Sequence, residues 1–333
     1  MNGAKNSSAI ATTGTAEAGR PYRGRFAPSP SGPLHFGSLI AAVGSFLEAR
    51  SRHGEWLVRI EDLDPPRERP GAADDILATL DRCGLHWDGA VLRQSSRHAA
   101  YEAALAQLDS AGCLRRCLCS RAQLAALPQN QTRAPGEELY HPPECLPVTA
   151  DADPRPAWRL RAPDREVAFV DRVQGAQRTN VAHTVGDFVL RRRDGLFAYQ
   201  LAVVVDDAAQ GITDVVRGAD LLSSTARQIV LQEALALPLP GYMHLPIAVG
   251  DSGIKLAKSA DAPALSRSSA AAQVVAALEF LRQAPPAELR RAALAEVWQW
   301  AVAHWRPGLL AGMTQGRVPG TWTAEESQGS SST

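Results

Sequence analysis

Arg25-Phe-Ala-Pro-Ser-Pro-Ser-Gly-Pro-Leu-His35-Phe-Gly37-Ser38 decides the architecture. Residues 23–27 read as a short buried strand. They run into a turn built from Pro28, Pro30, Gly32 and Pro33. A helix then spans about 37–51, with Leu39, Val43, Phe46 and Leu47 on one face and Gly54 as its stop. A strand that ends in a Gly/Pro turn and opens a helix puts the turn at the strand's C-terminal end, where open α/β sheets bind ligands. A helix N-terminus there offers unpaired N–H groups to a phosphate. Working outward, residues 56–61 form a second strand. Helices follow over 72–82, ending near Gly84, and over 98–110, before Gly112. This strand–helix–strand–helix order predicts a parallel sheet with covering helices.

From Cys113 to Pro156 periodicity fades, prolines cluster and cysteines gather, which reads as an insertion. Strands are expected over 157–161, 166–173 and 188–192. Arg193-Asp-Gly195 reads as a hairpin turn leading into a strand over 196–201. Val203-Val-Val-Asp-Asp207 and residues 213–217 read as further buried strands. An amphipathic helix covers 220–236 and a strand covers 244–249. Asp251-Ser-Gly253 is a turn that delivers Lys255-Leu-Ala-Lys258-Ser259. Two helices, about 270–283 and 286–304, come last. No internal repeat is evident.

The 333 residues carry 35 Lys+Arg and 35 Asp+Glu, a formal net charge of zero that argues against blanket polyanion binding. A local basic face, such as Arg191-Arg192-Arg193, remains compatible with RNA phosphates. No apolar run reaches the ~20 residues that span a bilayer, and the first twenty residues lack the apolar core of an export signal. The cytoplasm is the expected compartment. Cys83, Cys113, Cys117, Cys119 and Cys145 then read as thiols or metal ligands. Residues 1–20 and 316–333 read as disordered tails.

The stretch Arg25–Ser38 and the distant Lys255–Ser259 together resemble the two ATP-binding signatures of class I aminoacyl-tRNA synthetases. Arg59-Ile-Glu61-Asp62-Leu-Asp64 and the flanking residues narrow the resemblance to the glutamyl branch. Phe36 and Ala257 depart from the usual isoleucine and serine of those signatures, and neither change removes a charge. Val203 stands where many full-length glutamyl enzymes carry Asn. The resemblance implies a Rossmann-type, doubly wound α/β fold with a parallel sheet. It adds an inserted zinc-bearing α+β subdomain and a short C-terminal helical segment. The implied division is 21–112 for the first catalytic half and 113–186 for the acceptor-binding, zinc-bearing insertion. Residues 187–260 form the second half with the lysine loop, and 261–315 a helical segment.

Class I activation joins an amino-acid carboxylate to the α-phosphate of ATP. It needs alignment and charge neutralisation rather than a covalent enzyme intermediate. By resemblance, His35, Lys255 and Lys258 are catalytic, and His35, Gly37, Ser38, Lys255, Lys258 and Ser259 bind ATP, with Mg²⁺ accompanying it. Glutamate would lie against Arg25, Phe26, Ala27, Pro28, Ser29, Glu61, Tyr199 and Arg217. Arg25, Tyr199 and Arg217 would hold the side-chain carboxylate, and Ser29 and Glu61 the α-ammonium. A bidentate arginine fork suits a carboxylate and rejects a neutral amide.

Cys117, Cys119, Tyr140 and Cys145 resemble the structural zinc ligands, one ion per chain, of the short tRNA-modifying members of this branch. One extra residue separates Tyr140 from Cys145, so Cys113 and His141 are alternative fourth ligands. The chain reaches Thr333 soon after Ser259, without the large anticodon-reading region of the complete enzymes. The resemblance therefore implies activation of L-glutamate with ATP in the absence of tRNA. Transfer follows to the cyclopentenediol of queuosine in the anticodon loop of tRNA(Asp), by a monomer. The alternatives are a minimal synthetase that charges a tRNA 3′ end and a non-catalytic binding protein derived from a synthetase.

Overall fold

The computed structural model describes residues 20–126, 139–142, 155–250, 269–320 and 322. The order begins β1 (Arg23–Phe26), α1 (Phe36–Arg50), β2 (Glu55–Ile60), α2 (Ala72–Arg82), β3 (Leu92–Arg93) and α3 (His98–Ser110). The expected strands and helices of this half are all present. It continues with β4 (Leu114–Cys117), α4 (Arg121–Ala125), β5 (Ala157–Leu160), β6 (Glu166–Asp171), β7 (Gly175–Asn180), α5 (Val181–Thr184) and β8 (Phe188–Arg191). Then come α6 (Tyr199–Ala209), β9 (Asp214–Gly218), α7 (Leu222–Ala234), β10 (Gly241–Leu245) and β11 (Ile247–Val249). The order closes with α8 (Ala270–Phe280), α9 (Leu294–His304) and β12 (Gln315–Arg317).

Two parallel sheets meet edge to edge. One has the order β1-β2-β3 and the other β7-β6-β10-β9, in which only β7 is antiparallel. At the seam, the Thr213 N–H donates to the Arg23 carbonyl at 2.9 Å, and the Arg23 N–H donates to Thr213 Oγ1 at 2.9 Å. Strand periodicity sorts the side chains onto two faces. Val216, Met243 and Leu245 join α1, α8 and α9 in one core, while Val215 and Tyr242 join α3, α6 and α7 in the other. Helices thus cover both faces, as the resemblance implies for a fold of this type.

Three expectations change. The run 199–207, expected as strand, is helical and lies in α6. A short apolar run suits a buried strand and a buried helix equally, and α6 is enclosed so fully that Gln200, Asp206 and Asp207 are buried with its valines. The sheets also ignore the expected boundary near 187. β8 completes an antiparallel sheet with β4 and β5, whereas β6 pairs in parallel with β10. Finally, the segment from 316 onward is not wholly a tail. β12 pairs in parallel with β11, and Trp322 lies over Phe36 with ring centroids 4.4 Å apart.

Trp56 ties the first half together. It is fully buried, donates from Nε1 to Ser45 Oγ at 3.0 Å, and meets Phe46 edge-on at 5.2 Å. Trp56→Ala should lower the unfolding free energy by about 3–5 kcal/mol, measured by urea denaturation. An unchanged midpoint would show that this ring is not a main support of the core.

Candidate active site

A cleft of about 1020 Å³ opens at the C-terminal ends of β1, β2, β9 and β10. Its wall includes Arg25, Glu61, Tyr199, Arg217, His35 and Gly37, together with Phe26, Ala27, Pro28, Ser29 and Ser38. Thus every site residue expected for glutamate, and every expected ATP residue within the described chain, lines one cavity. Lys255, Lys258 and Ser259 lie outside the described residues.

His35 is the N-cap of α1 in an extended conformation, and its carbonyl accepts the Leu39 N–H at 3.0 Å. The first-turn N–H groups of α1 have no partner within the helix by rule. Gly37 and Ser38 expose that end to the cleft. The proline turn is braced from beneath: the Glu61 N–H donates to the Pro28 carbonyl at 2.9 Å, and the Arg69 N–H to the Pro30 carbonyl at 3.0 Å. The arrangement offers an anion site with fixed donors.

A group of buried charges forms the floor. Arg25 on β1 grips Asp207 of α6 with two bonds, Nε to Oδ1 at 2.9 Å and Nη2 to Oδ2 at 3.2 Å. Arg59 on β2 is fully buried and reaches the same Asp207 Oδ1 at 2.8 Å, Gln210 Oε1 at 2.8 Å, and Glu61 Oε1 at 3.5 Å. Burial works against the charged form of Asp207, but Arg25 and Arg59 together hold its carboxyl below the usual carboxylate range. Burial pushes the Glu61 carboxyl above its ordinary value, opposed by Arg59 and Arg25. An arriving ammonium would relieve that cost. Asp207 and Arg59 were not assigned roles from the sequence. Their signal was present in two short runs, since an Asp closing an apolar stretch and an Arg within a strand both need a partner.

Arg217, near the end of β9, forms the opposite wall. Its Nη1 donates to the Tyr199 hydroxyl at 3.3 Å, and its Nη2 donates to Thr225 Oγ1 at 3.0 Å and to the Leu221 carbonyl at 3.4 Å. Its Nε donates to His244 Nε2 at 3.0 Å. Burial raises the Tyr199 phenol, so it stays neutral. The cleft therefore offers a positively charged fork and a phenol on one side, a carboxylate on its floor, and a helix N-terminus at the proline turn.

Away from the cleft, Cys117 Sγ, Cys119 Sγ and a ring nitrogen of His141 lie within 4.8 Å of one another. The Cys119 N–H donates to Cys117 Sγ at 3.2 Å, and His141 Nε2 is 3.1 Å from that sulfur. His141 is buried, and among the described residues its Nδ1 has no hydrogen-bond partner. Its backbone bridges to Gly186, where φ is +72° and a Cβ would fall 1.8 Å from the His141 carbonyl oxygen. Two soft sulfurs and an imidazole fit a tetrahedral ion with room for a fourth ligand. The structure thus brings together two of the expected cysteines and His141, one of the alternative ligands. Half-buried Tyr140 precedes it, and Cys145 lies outside the described residues.

The fold is shared with solved structures. Glutamate tRNA ligase from Elizabethkingia meningosepticum, solved in complex with its amino acid, superposes with a TM-score of 0.73 over 92% of this chain and 68% of that one, at 23% identity. Glutamate-tRNA synthetase from Elizabethkingia anophelis gives 0.74 over 92% and 69%, also at 23%. The family described as tRNA synthetases class I (E and Q), catalytic domain, matches residues 22–293, and the chain belongs to it. Within that class, proteins named glutamyl-Q tRNA(Asp) synthetase match at much higher identity. That of Dechloromonas aromatica is 57% identical over 86% of this chain and 94% of its own length. Those of Aromatoleum aromaticum and Pseudomonas aeruginosa are 51% and 55% identical, covering 95% and 85% of this chain and 99% and 93% of their own lengths.

Asp207→Asn should cost about 3–5 kcal/mol of stability, because it leaves two buried guanidiniums short of a counter-charge. The sign with pH follows from its depressed carboxyl. The contribution is complete above the unfolded carboxylate value and is lost as pH falls through the lower folded value. Urea titrations at descending pH should show wild-type stability converging on that of the variant. Parallel curves would contradict this assignment.

Proposed function

We propose that this chain activates L-glutamate with ATP and transfers it to queuosine in tRNA(Asp). The observation that carries the reading is the cleft itself. Buried Arg217, its Tyr199 partner and the Glu61 carboxylate share it with the N-terminus of α1. One amino acid with two carboxylates and one ammonium satisfies that combination. The names of the relatives, which align over nearly their whole length, add the acceptor.

In this mechanism Arg217 and Tyr199 take the glutamate side-chain carboxylate. Arg25, held by Asp207, lies alongside as a second positive group. Glu61 and Ser29 receive the α-ammonium, which leaves the α-carboxylate directed toward the α1 N-terminus. ATP arrives with its Mg²⁺, and its phosphates meet the N–H groups at Gly37 and Ser38. His35 stabilises charge on the α-phosphate as the carboxylate attacks and pyrophosphate leaves. Lys255 and Lys258 neutralise the departing phosphates, with Ser259 beside them. A fixed fork gains most here because its donors need no rearrangement during reaction. The adenylate then passes its glutamyl group to a hydroxyl of the queuosine cyclopentenediol. The exposed Arg192 and Arg193 suit phosphates of the anticodon loop. The working form is a monomer in the cytoplasm. Among the described residues no helix is long and apolar enough to cross a membrane.

Cys117, Cys119 and His141, with Cys145 or Tyr140 as the fourth ligand, would hold a zinc ion in a structural role. It would pin the end of β4 to the loop at Gly186. Gly186→Ala strains both the positive φ and the approach of His141. It should reduce zinc content to well below one per chain, measured by elemental analysis of the purified protein, while pyrophosphate exchange survives. Full zinc in the variant would remove Gly186 from this role.

The acceptor is tested with ATP, labelled glutamate, and tRNA from cells with and without queuosine. Label should appear only on queuosine-containing tRNA(Asp) and map to its anticodon loop. Label on a tRNA 3′ end regardless of queuosine would instead make the chain a minimal glutamyl-tRNA synthetase.

A further inference from the structure

His244 lies behind Arg217 and does not line the cleft; it is fully buried on β10. Its Nδ1 is 2.6 Å from Asp171 Oδ2, at the end of β6. Its Nε2 accepts the Arg217 Nε–H at 3.0 Å. A guanidinium can only donate, so Nε2 carries the lone pair and the ring proton sits on Nδ1, shared with the Asp171 carboxylate. Asp171 is itself fixed: its Oδ1 accepts the backbone N–H groups of Val173, Gln174 and His244 at 2.9, 2.8 and 3.2 Å. Thr225 Oγ1 closes the arrangement, 3.3 Å from His244 Nε2 while accepting Arg217 Nη2 at 3.0 Å.

We propose that Asp171 and His244 form a positioning chain for the amino-acid site, with neutral His244 in its Nδ1–H form aiming the Arg217 fork at the glutamate side-chain carboxylate. The inference rests on the glutamate reading of the cleft. It is more than a core pair for three reasons. The chain meets Arg217 at Nε through His244, which does not line the cleft, while Nη1 meets Tyr199, which does. The imidazole transmits the Asp171 charge without neutralising Arg217 by direct contact, as a carboxylate at that spot would. It also fixes the rotation of the guanidinium plane, which a bidentate contact requires. Burial, with Arg217 adding to it, lowers the basicity of His244, while Asp171 and the nearby Asp220 oppose that. Tyr242, stacked 6.3 Å from the ring, is neutral. A protonated ring would set two cations 3.0 Å apart and lose the acceptor.

The test is glutamate-dependent exchange of pyrophosphate into ATP, with both substrates varied. His244→Phe keeps the ring and loses the acceptor. Its KM for glutamate should rise about tenfold or more, with the KM for ATP within about twofold of wild type. His244→Gln, whose amide oxygen can accept from Arg217, should recover a large part of the loss. On acidification the wild-type KM for glutamate should rise through the titration of His244, and His244→Gln should lack that component. Any rise left in the variant belongs to Glu61, whose carboxyl also titrates upward of its ordinary range. Nitrogen NMR of labelled histidine in the wild-type protein reads the tautomer directly, with His244→Gln identifying the signal. The Nδ1–H form at neutral pH is expected, and the Nε2–H form or an imidazolium would overturn the proposal whether or not the variants fold. Normal wild-type exchange with unchanged glutamate KM in both variants would also overturn it. Wild-type exchange that ignores glutamate would overturn the glutamate reading, and the proposal with it.

Discussion

One buried carboxylate, Asp207, receives two guanidiniums from adjacent strands, and the geometry of the cleft depends on it. Arg25 and Arg59 reach it from β1 and β2, so both strands are referenced to α6. Neither arginine could be buried alone, since an unpaired charge in that interior costs several kcal/mol. The pairing has a second effect. It leaves Glu61 as the partly satisfied member of the group, its one ion pair among the described residues being a 3.5 Å contact to Arg59. Glu61 is therefore the carboxylate of the floor with the most to gain from a further positive group on incoming substrate.

Legibility in the sequence followed the range of the interactions involved. The proline turn, α1 and the exposed Gly37–Ser38 end were readable because strand, turn and helix lie within one short stretch. α6 was misread because Leu201–Val205 is apolar in a way that suits either structure, and only the enclosure by α3 and α7 decides it. The split of residues 113–191 between two sheets was also hidden. β6 and β10 meet through the single register pair Asp171 and Tyr242, and no local pattern announces such a pairing.

The same rule divides the site. Arg25, Glu61, Tyr199 and Arg217 stood in recognisable runs, and all four line the cleft. Asp171 and His244 did not, because each looks ordinary within its own strand and their meaning arises only when they touch. At the sulfur cluster, His141 could be read as an alternative ligand. What favours it is its bridge to Gly186, a glycine whose φ of +72° gave no sign in the sequence.

The pairing of β12 with β11 bears on how the protein is made. β11 leads from the cleft-lining residues Ile247 and Ala248 toward the lysine loop, and its register partners are Gln315, Gly316 and Arg317. A ribosome delivers those partners only after the rest of the nucleotide-binding frame has emerged and begun to fold. Phe36, at the opening of α1, likewise waits for Trp322. A nascent chain could thus bury most of both cores while its ATP-facing rim was still unfinished. Competence for catalysis would then wait on residues 315–322, and a chain stalled before them would be largely folded yet silent.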